Sequence, residues 1–133
     1  MPAVVALQAD YTDLVIVDPR PQDYGALMAS PAARDLLFQF AISASDALRI
    51  SRWGRRSIWL INIRLPDGSG MELAAAIRAR DPHSVVHLVG DEYDPAQEVA
   101  ARVCGVAMYL CKPADVSWLP RDGRRSYDRA HGA

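Results

Sequence analysis

Three polar residues draw attention because each follows a short apolar run. Asp18 follows Leu14-Val15-Ile16-Val17, Asn62 follows Ile58-Trp59-Leu60-Ile61, and Lys112 follows Met108-Tyr109-Leu110-Cys111. A carboxylate can ligate a hard cation or act as a nucleophile, and an ammonium is a point charge suited to an anion. The carboxamide of Asn62 does neither well, being neutral, weakly ligating and poorly nucleophilic. Lys112 is the one lysine of the chain, the other fourteen basic residues being arginine. Such a bias usually reflects genome composition, but it makes the single lysine worth weighing. A fourth run, Val85 to Val89, is followed by Gly90, Asp91 and Glu92. These two acids could add charge beside the others, although a solvated loop is the expectation for them.

Other groups capable of chemistry are expected to be structural. Cys104 and Cys111 form no CxxC pattern and read as small apolar residues of the interior. His83 and His87 are four apart across a strand start, not on one helix face, so no metal site is expected there. Asp67, in Leu65-Pro66-Asp67-Gly68, is expected to serve its turn through side-chain hydrogen bonds. Trp53, Trp59 and Trp118 read as core or edge packing. Arg121, Arg124, Arg125 and Arg129 read as a solvated terminus, since no helix-turn-helix pattern or aromatic interleaving accompanies them.

The elements that must position these residues follow from the apolar pattern. The chain has 133 residues, half of them hydrophobic and 23% charged, with a net charge of -1. That is the composition of one globular domain rather than of a disordered segment. No apolar run reaches the roughly 20 residues that cross a bilayer, and the N-terminus lacks the basic start of an export signal, so a cytoplasmic location is expected. Short, mostly apolar runs at 14–17, 36–42, 58–63, 85–89 and 107–111 suit strands buried on both faces. Helical stretches at 22–30, 46–52, 70–80 and 95–103 separate them. Ser45 is the expected cap of the second, Asp94-Pro95 opens the fourth, and Gly105 closes it. A fifth helix is interrupted by Pro120 and reads as a short turn over 114–119. The reading is an extension over 1–12, a domain over 13–119 and a polar, Arg-rich tail over 120–133. The βαβαβαβαβ alternation implies a doubly wound parallel sheet with its crevice at the carboxyl ends of the strands.

LINIRLPDGSGMELAAAIR resembles the stretch around the phosphorylated aspartate of response-regulator receiver domains, typically LLDIRLPDGxGxELxxxIR. CGVAMYLCKP resembles their last strand, and LVIVDPRP their first strand and acidic pair. The likeness covers about residues 13 to 115. It implies an α/β, flavodoxin-like, five-stranded parallel sheet in a three-layer α/β/α sandwich, here with a shortened fifth helix. In working members two acids and the acceptor aspartate bind Mg²⁺, the aspartate takes a phosphoryl group, and a hydroxyl and a lysine hold its oxygens. This chain keeps Asp18 and Lys112 but has Pro19 at the second acidic position, Asn62 at the acceptor and Val89 at the aligned hydroxyl position. Lys112 is expected to reach either the Asn62 amide oxygen or Asp18. Tyr109 aligns with the switch aromatic and is expected to be fixed, because its hydroxyl trigger is missing.

The resemblance thus implies an atypical, degenerate receiver, a pseudo-receiver in two-component signal transduction. It is expected to be neither an enzyme nor phosphorylated in the usual way, and to have lost or weakened its Mg²⁺ site. It would act through protein contacts, with a homodimer as one form and with neither membrane nor nucleic acid as partner. The partner surface implied comprises Val99, Val103, Met108, Tyr109 and Trp118. Two rival readings stay open: a small-molecule module using the altered crevice, and residual phosphoacceptor activity.

Overall fold

Five parallel strands form the central sheet: β1 (Asp13–Val17), β2 (Leu37–Ala41), β3 (Ser57–Asn62), β4 (Val85–Gly90) and β5 (Met108–Cys111), in the order β2-β1-β3-β4-β5. The computed structural model describes residues 13–50 and 57–114. Trp53, Trp118, the short fifth helix beyond Ala114, both terminal segments and the arginines of the tail lie outside the described residues. Strands β1 and β3 are buried along their whole length, which is why they read as unbroken apolar runs. Their alternate side chains feed two cores. Val15, Val17, Trp59, Ile61 and Leu88 pack on one face, and Leu14, Ile16, Ile58, Leu60 and Val89 on the other.

Helices cover both faces. On the first lie α2 (Ala44–Ile50), α3 (Gly70–Arg80) and α4 (Pro95–Cys104), which contribute Ala47, Leu73, Ala74, Ile77 and Ala101. On the second lies α1 (Gly25–Ala29), preceded by a 3-10 turn at Pro21–Tyr24, contributing Tyr24 and Leu27. The single helix expected over 22–30 is therefore two pieces, joined where Gly25 follows the turn. The capping chemistry explains the sharp ends of α3 and α4. Ser69 Oγ accepts from the N–H groups of Met71 and Glu72, and Asp94 Oδ1 accepts from that of Ala96. Gly105 closes α4 in the left-handed region at φ 83°, where a side chain would be strained. The cap of α2 differs from expectation: Ser43 Oγ, not Ser45, accepts from the helix, taking the Asp46 N–H at 3.1 Å.

A two-residue antiparallel hairpin, Arg64–Leu65 with Gly68–Ser69, links β3 to α3. It brings Gly70 so close to the end of β3 that a Cβ there would lie 1.9 Å from the Asn62 carbonyl oxygen. Only glycine permits that approach, and it fixes where Asn62 ends its strand. The chain leaves β1 for β2 on one side and returns to β3 on the other, so the topological switch point lies beside Asp18 and Asn62.

Candidate functional site

At that point the ends of β1, β3, β4 and β5 bring four charged groups and a carboxamide together. Asp18 is fully buried, and its carboxylate is saturated. Oδ1 accepts from the Arg20 N–H at 2.8 Å; Oδ2 accepts from the Tyr24 hydroxyl at 2.8 Å and from Asn62 Nδ2 at 2.9 Å. Burial, with the negative charge of Asp18 beside it, pushes the Tyr24 phenol well above its ordinary range, so it stays a neutral donor. Asn62 is buried and satisfied on both sides. Nδ2 donates to Asp18 Oδ2 and, at 3.0 Å, to Asp91 Oδ1, while Oδ1 accepts the Arg64 N–H at 2.8 Å. The alternative amide orientation would aim an oxygen at two carboxylates and an N–H₂ at a backbone N–H, so this orientation is the one the surroundings dictate.

Lys112 lies at the centre. Its Nζ is 2.8 Å from Asp23 Oδ2, 3.0 Å from Asp18 Oδ2 and 2.8 Å from Asp91 Oδ1, and 5.7 Å from the Tyr24 ring centroid. The side chain is only 11% exposed. Burial works to lower its pKa, but hydrogen bonds to Asp23, Asp91 and Asp18 outweigh that and hold it above an ordinary lysine. Reciprocally, the bonds from Lys112 and then Asn62 hold the Asp91 carboxyl below its usual range. Of the two expected destinations for Lys112, the structure shows Asp18; the Asn62 oxygen is occupied by Arg64. The Lys112-Pro113 peptide bond is cis.

One residue enters the site without a signal in the sequence, and another enters it from the loop after β4. Asp23 had no place in the sequence reading, and it reaches Lys112 from the 3-10 turn after β1. Asp91, expected in a solvated loop, reaches both Asn62 and Lys112. Val89 does not occupy the hydroxyl position expected for it, because its side chain is buried in the core. Strand β4 runs one residue beyond its apolar run, to Gly90, and alternation then turns Val89 into the core with Leu14 and Ile16. Gly90 is the residue that borders the crevice, and it has no hydroxyl to offer. The space a side chain would fill there is taken by Tyr109: a Cβ on Gly90 would lie 2.7 Å from its hydroxyl. That hydroxyl accepts the Asp94 N–H at 3.3 Å and donates to Gln97 Oε1 at 3.1 Å, so Tyr109 is held over Gly90 from two sides. Pro19 is exposed and adds no polar side chain. Val99, Val103 and Met108 are 62%, 84% and 42% exposed on α4 and the start of β5.

Asp67 does not serve its own turn alone. Its carboxylate accepts the N–H groups of Ser45 at 3.0 Å and Ala44 at 2.8 Å, which hold it below the usual carboxylate range. Among the described residues no helix is long and apolar enough to cross a membrane.

A five-stranded parallel sheet in this order, with acidic and lysine side chains meeting beside the switch point, is the fold of response-regulator receiver domains. A receiver domain from Clostridium thermocellum matches with a TM-score of 0.72 at 19% identity, over 90% of this chain and 97% of that one. DrrB of Thermotoga maritima, an OmpR/PhoB homologue, matches at 0.70 and 19%, over 90% of this chain and 54% of its own. A response regulator from Burkholderia pseudomallei, solved with a phosphorylated aspartic acid, calcium ion and citrate, matches at 0.69 and 19%, over 90% and 72%. In sequence, 58 residues are 38% identical to the photosynthetic apparatus regulatory protein RegA of Rhodobacter capsulatus. That match takes in 44% of this chain and 32% of RegA, so it spans about a third of the relative's length. No protein-family model matches the chain.

Proposed function

We propose that the chain is a receiver-fold module of two-component signalling that works without phosphorylation at Asn62, through contacts with protein partners. The observation that carries this reading is the state of Asn62. Both amide hydrogens are given to carboxylates and the oxygen is taken by a backbone N–H, so no nucleophilic electron pair faces the crevice. Gly90 supplies no hydroxyl to a phosphoryl oxygen, and Pro19 supplies no ligand to a metal. Asp67 is not a substitute acceptor, because both of its oxygens are engaged by α2. A non-enzymatic role and a cytoplasmic location go with this reading. The exposed Val99, Val103 and Met108 are the contact surface it uses, a second copy of the chain being the simplest partner.

Incubation with acetyl phosphate and Mg²⁺, followed by intact mass measurement, tests the proposal. No phosphoryl adduct is expected, and an adduct on any residue of the crevice would overturn it. One observation favours a second reading. A cleft of about 410 Å³ opens between the ends of β3 and β4 and the start of α4, bordered by Arg64, Asp91, Glu92, Asp94 and Gln97. A small ligand there would raise the melting temperature in a thermal-shift screen of metabolites, whereas the contact-only module shows no such rise.

A further inference from the structure

We infer that Lys112 is the crevice's built-in cation, standing where a divalent metal would otherwise join the carboxylates of Asp18, Asp23 and Asp91. The inference deepens the function proposed above and rests on its reading of the crevice as a spent phosphoacceptor site. Three carboxylates meet one ammonium at 2.8 to 3.0 Å, each through a single oxygen turned toward Nζ. A hard cation bridging Asp18 Oδ2 and Asp91 Oδ1 would need the space around those same oxygens, and would meet Nζ there as a like charge. It would also meet the Asn62 amide by its hydrogens, since Nδ2 donates to both of those oxygens. The ammonium is held from both ends, because Lys112 directly follows β5, its backbone N–H donates to the Gly90 carbonyl, and its side chain is largely enclosed.

The remaining donors are uncharged and take up acceptor positions of Asp18. Asp18 takes the Tyr24 hydroxyl and the Arg20 N–H in addition to Asn62 and Lys112, so Oδ2, the oxygen that faces Nζ, already has three partners. The residues present do not fit Mg²⁺, and the misfit has two independent sources: an amide donor where an acid would ligate, and an ammonium already in contact. Changing Asn62 alone would remove one of them. Removing the ammonium would leave three carboxylates facing one another, which is the arrangement that captures a divalent ion.

Mn²⁺ is the probe, followed by loss of its free electron paramagnetic resonance signal on titration with the full chain. The wild type is expected to retain no Mn²⁺ at millimolar concentration, while Lys112→Met binds it at least about ten-fold more tightly, displaceable by Mg²⁺. Adding Asp91→Asn to Lys112→Met is expected to remove most of that gain. Wild type binding Mn²⁺ as tightly as Lys112→Met would overturn the inference, as would a folded Lys112→Met that binds no better than wild type. Should Lys112→Met not fold, the wild-type melting temperature decides: a saturable rise with Mn²⁺ overturns the inference and an unchanged value supports it. A phosphoryl adduct from acetyl phosphate would sink the proposed function, whereas Mn²⁺ retention by the wild type sinks only the built-in cation.

Discussion

The crevice and the α4–β5 edge adjoin along β4 and β5, yet they leave opposite things unused. In the crevice the side chains of Asp18, Asn62 and Lys112 all find their partners within the chain, through bonds of 2.8 to 3.0 Å. On the edge, Val103, Val99 and Met108 present apolar surface with no counterpart among the described residues. Polar side chains of the crevice are paired with one another, whereas apolar side chains of the edge face outward. The same scaffold has thus tied its crevice side chains to one another and left its flank uncovered among the described residues.

The largest expected effect tests whether the closed end depends on backbone shape. Gly70→Ala would drive a Cβ into the Asn62 carbonyl and Ile63 Cα, neither of which can yield like a side-chain tip. A loss of about 3 kcal/mol or more is expected in urea unfolding, with the crevice displaced. Stability equal to wild type would mean that the end of β3 is not pinned there. Next comes acid. Burial depresses His87 on β4 from 6.5 to about 4. The unfolded chain therefore takes up a proton that the folded chain refuses, and stability falls as pH drops from about 6.5 to about 4, by about 3 kcal/mol in all. His87→Gln should flatten that part of the pH profile; an unchanged profile would move the sensitivity to the crevice carboxylates.

A smaller effect probes the boundary between the two regions. Gly90→Thr would evict the Tyr109 hydroxyl and break its bonds to Asp94 and Gln97, costing about 1 kcal/mol. Tyr109 ring resonances should shift, and a spectrum unchanged at Tyr109 would show that the ring does not need the vacancy. The smallest effect on stability belongs to the open flank. Val103→Glu should alter the unfolding free energy by less than about 0.5 kcal/mol, because the side chain touches mostly solvent. It should nevertheless weaken any self-association seen by analytical ultracentrifugation.

The fold was readable where local chemistry and period agreed. Asp94 marks the start of α4, Gly105 marks its end, and the buried runs of β1 and β3 had no competing interpretation. The meeting of Asp18, Asn62 and Lys112 followed from their shared position at strand ends. Asp23 was not readable because a 3-10 turn, unlike a helix with a clear period, gives no warning of which way its side chains point. The crevice position at the end of β4 falls on Gly90 rather than Val89 because that strand extends through a glycine that carries no apolar signal. Alternation along the strand then turns Val89 into the core and leaves Gly90 at the crevice.

The carboxylate of Asp67 joins two loops of the crevice rim, since it belongs to the hairpin after β3 and binds the first turn of α2. These loops are held in one geometry before anything arrives. A protein landing on that rim would meet a surface already ordered, and little of its binding free energy would be spent on freezing loop conformations.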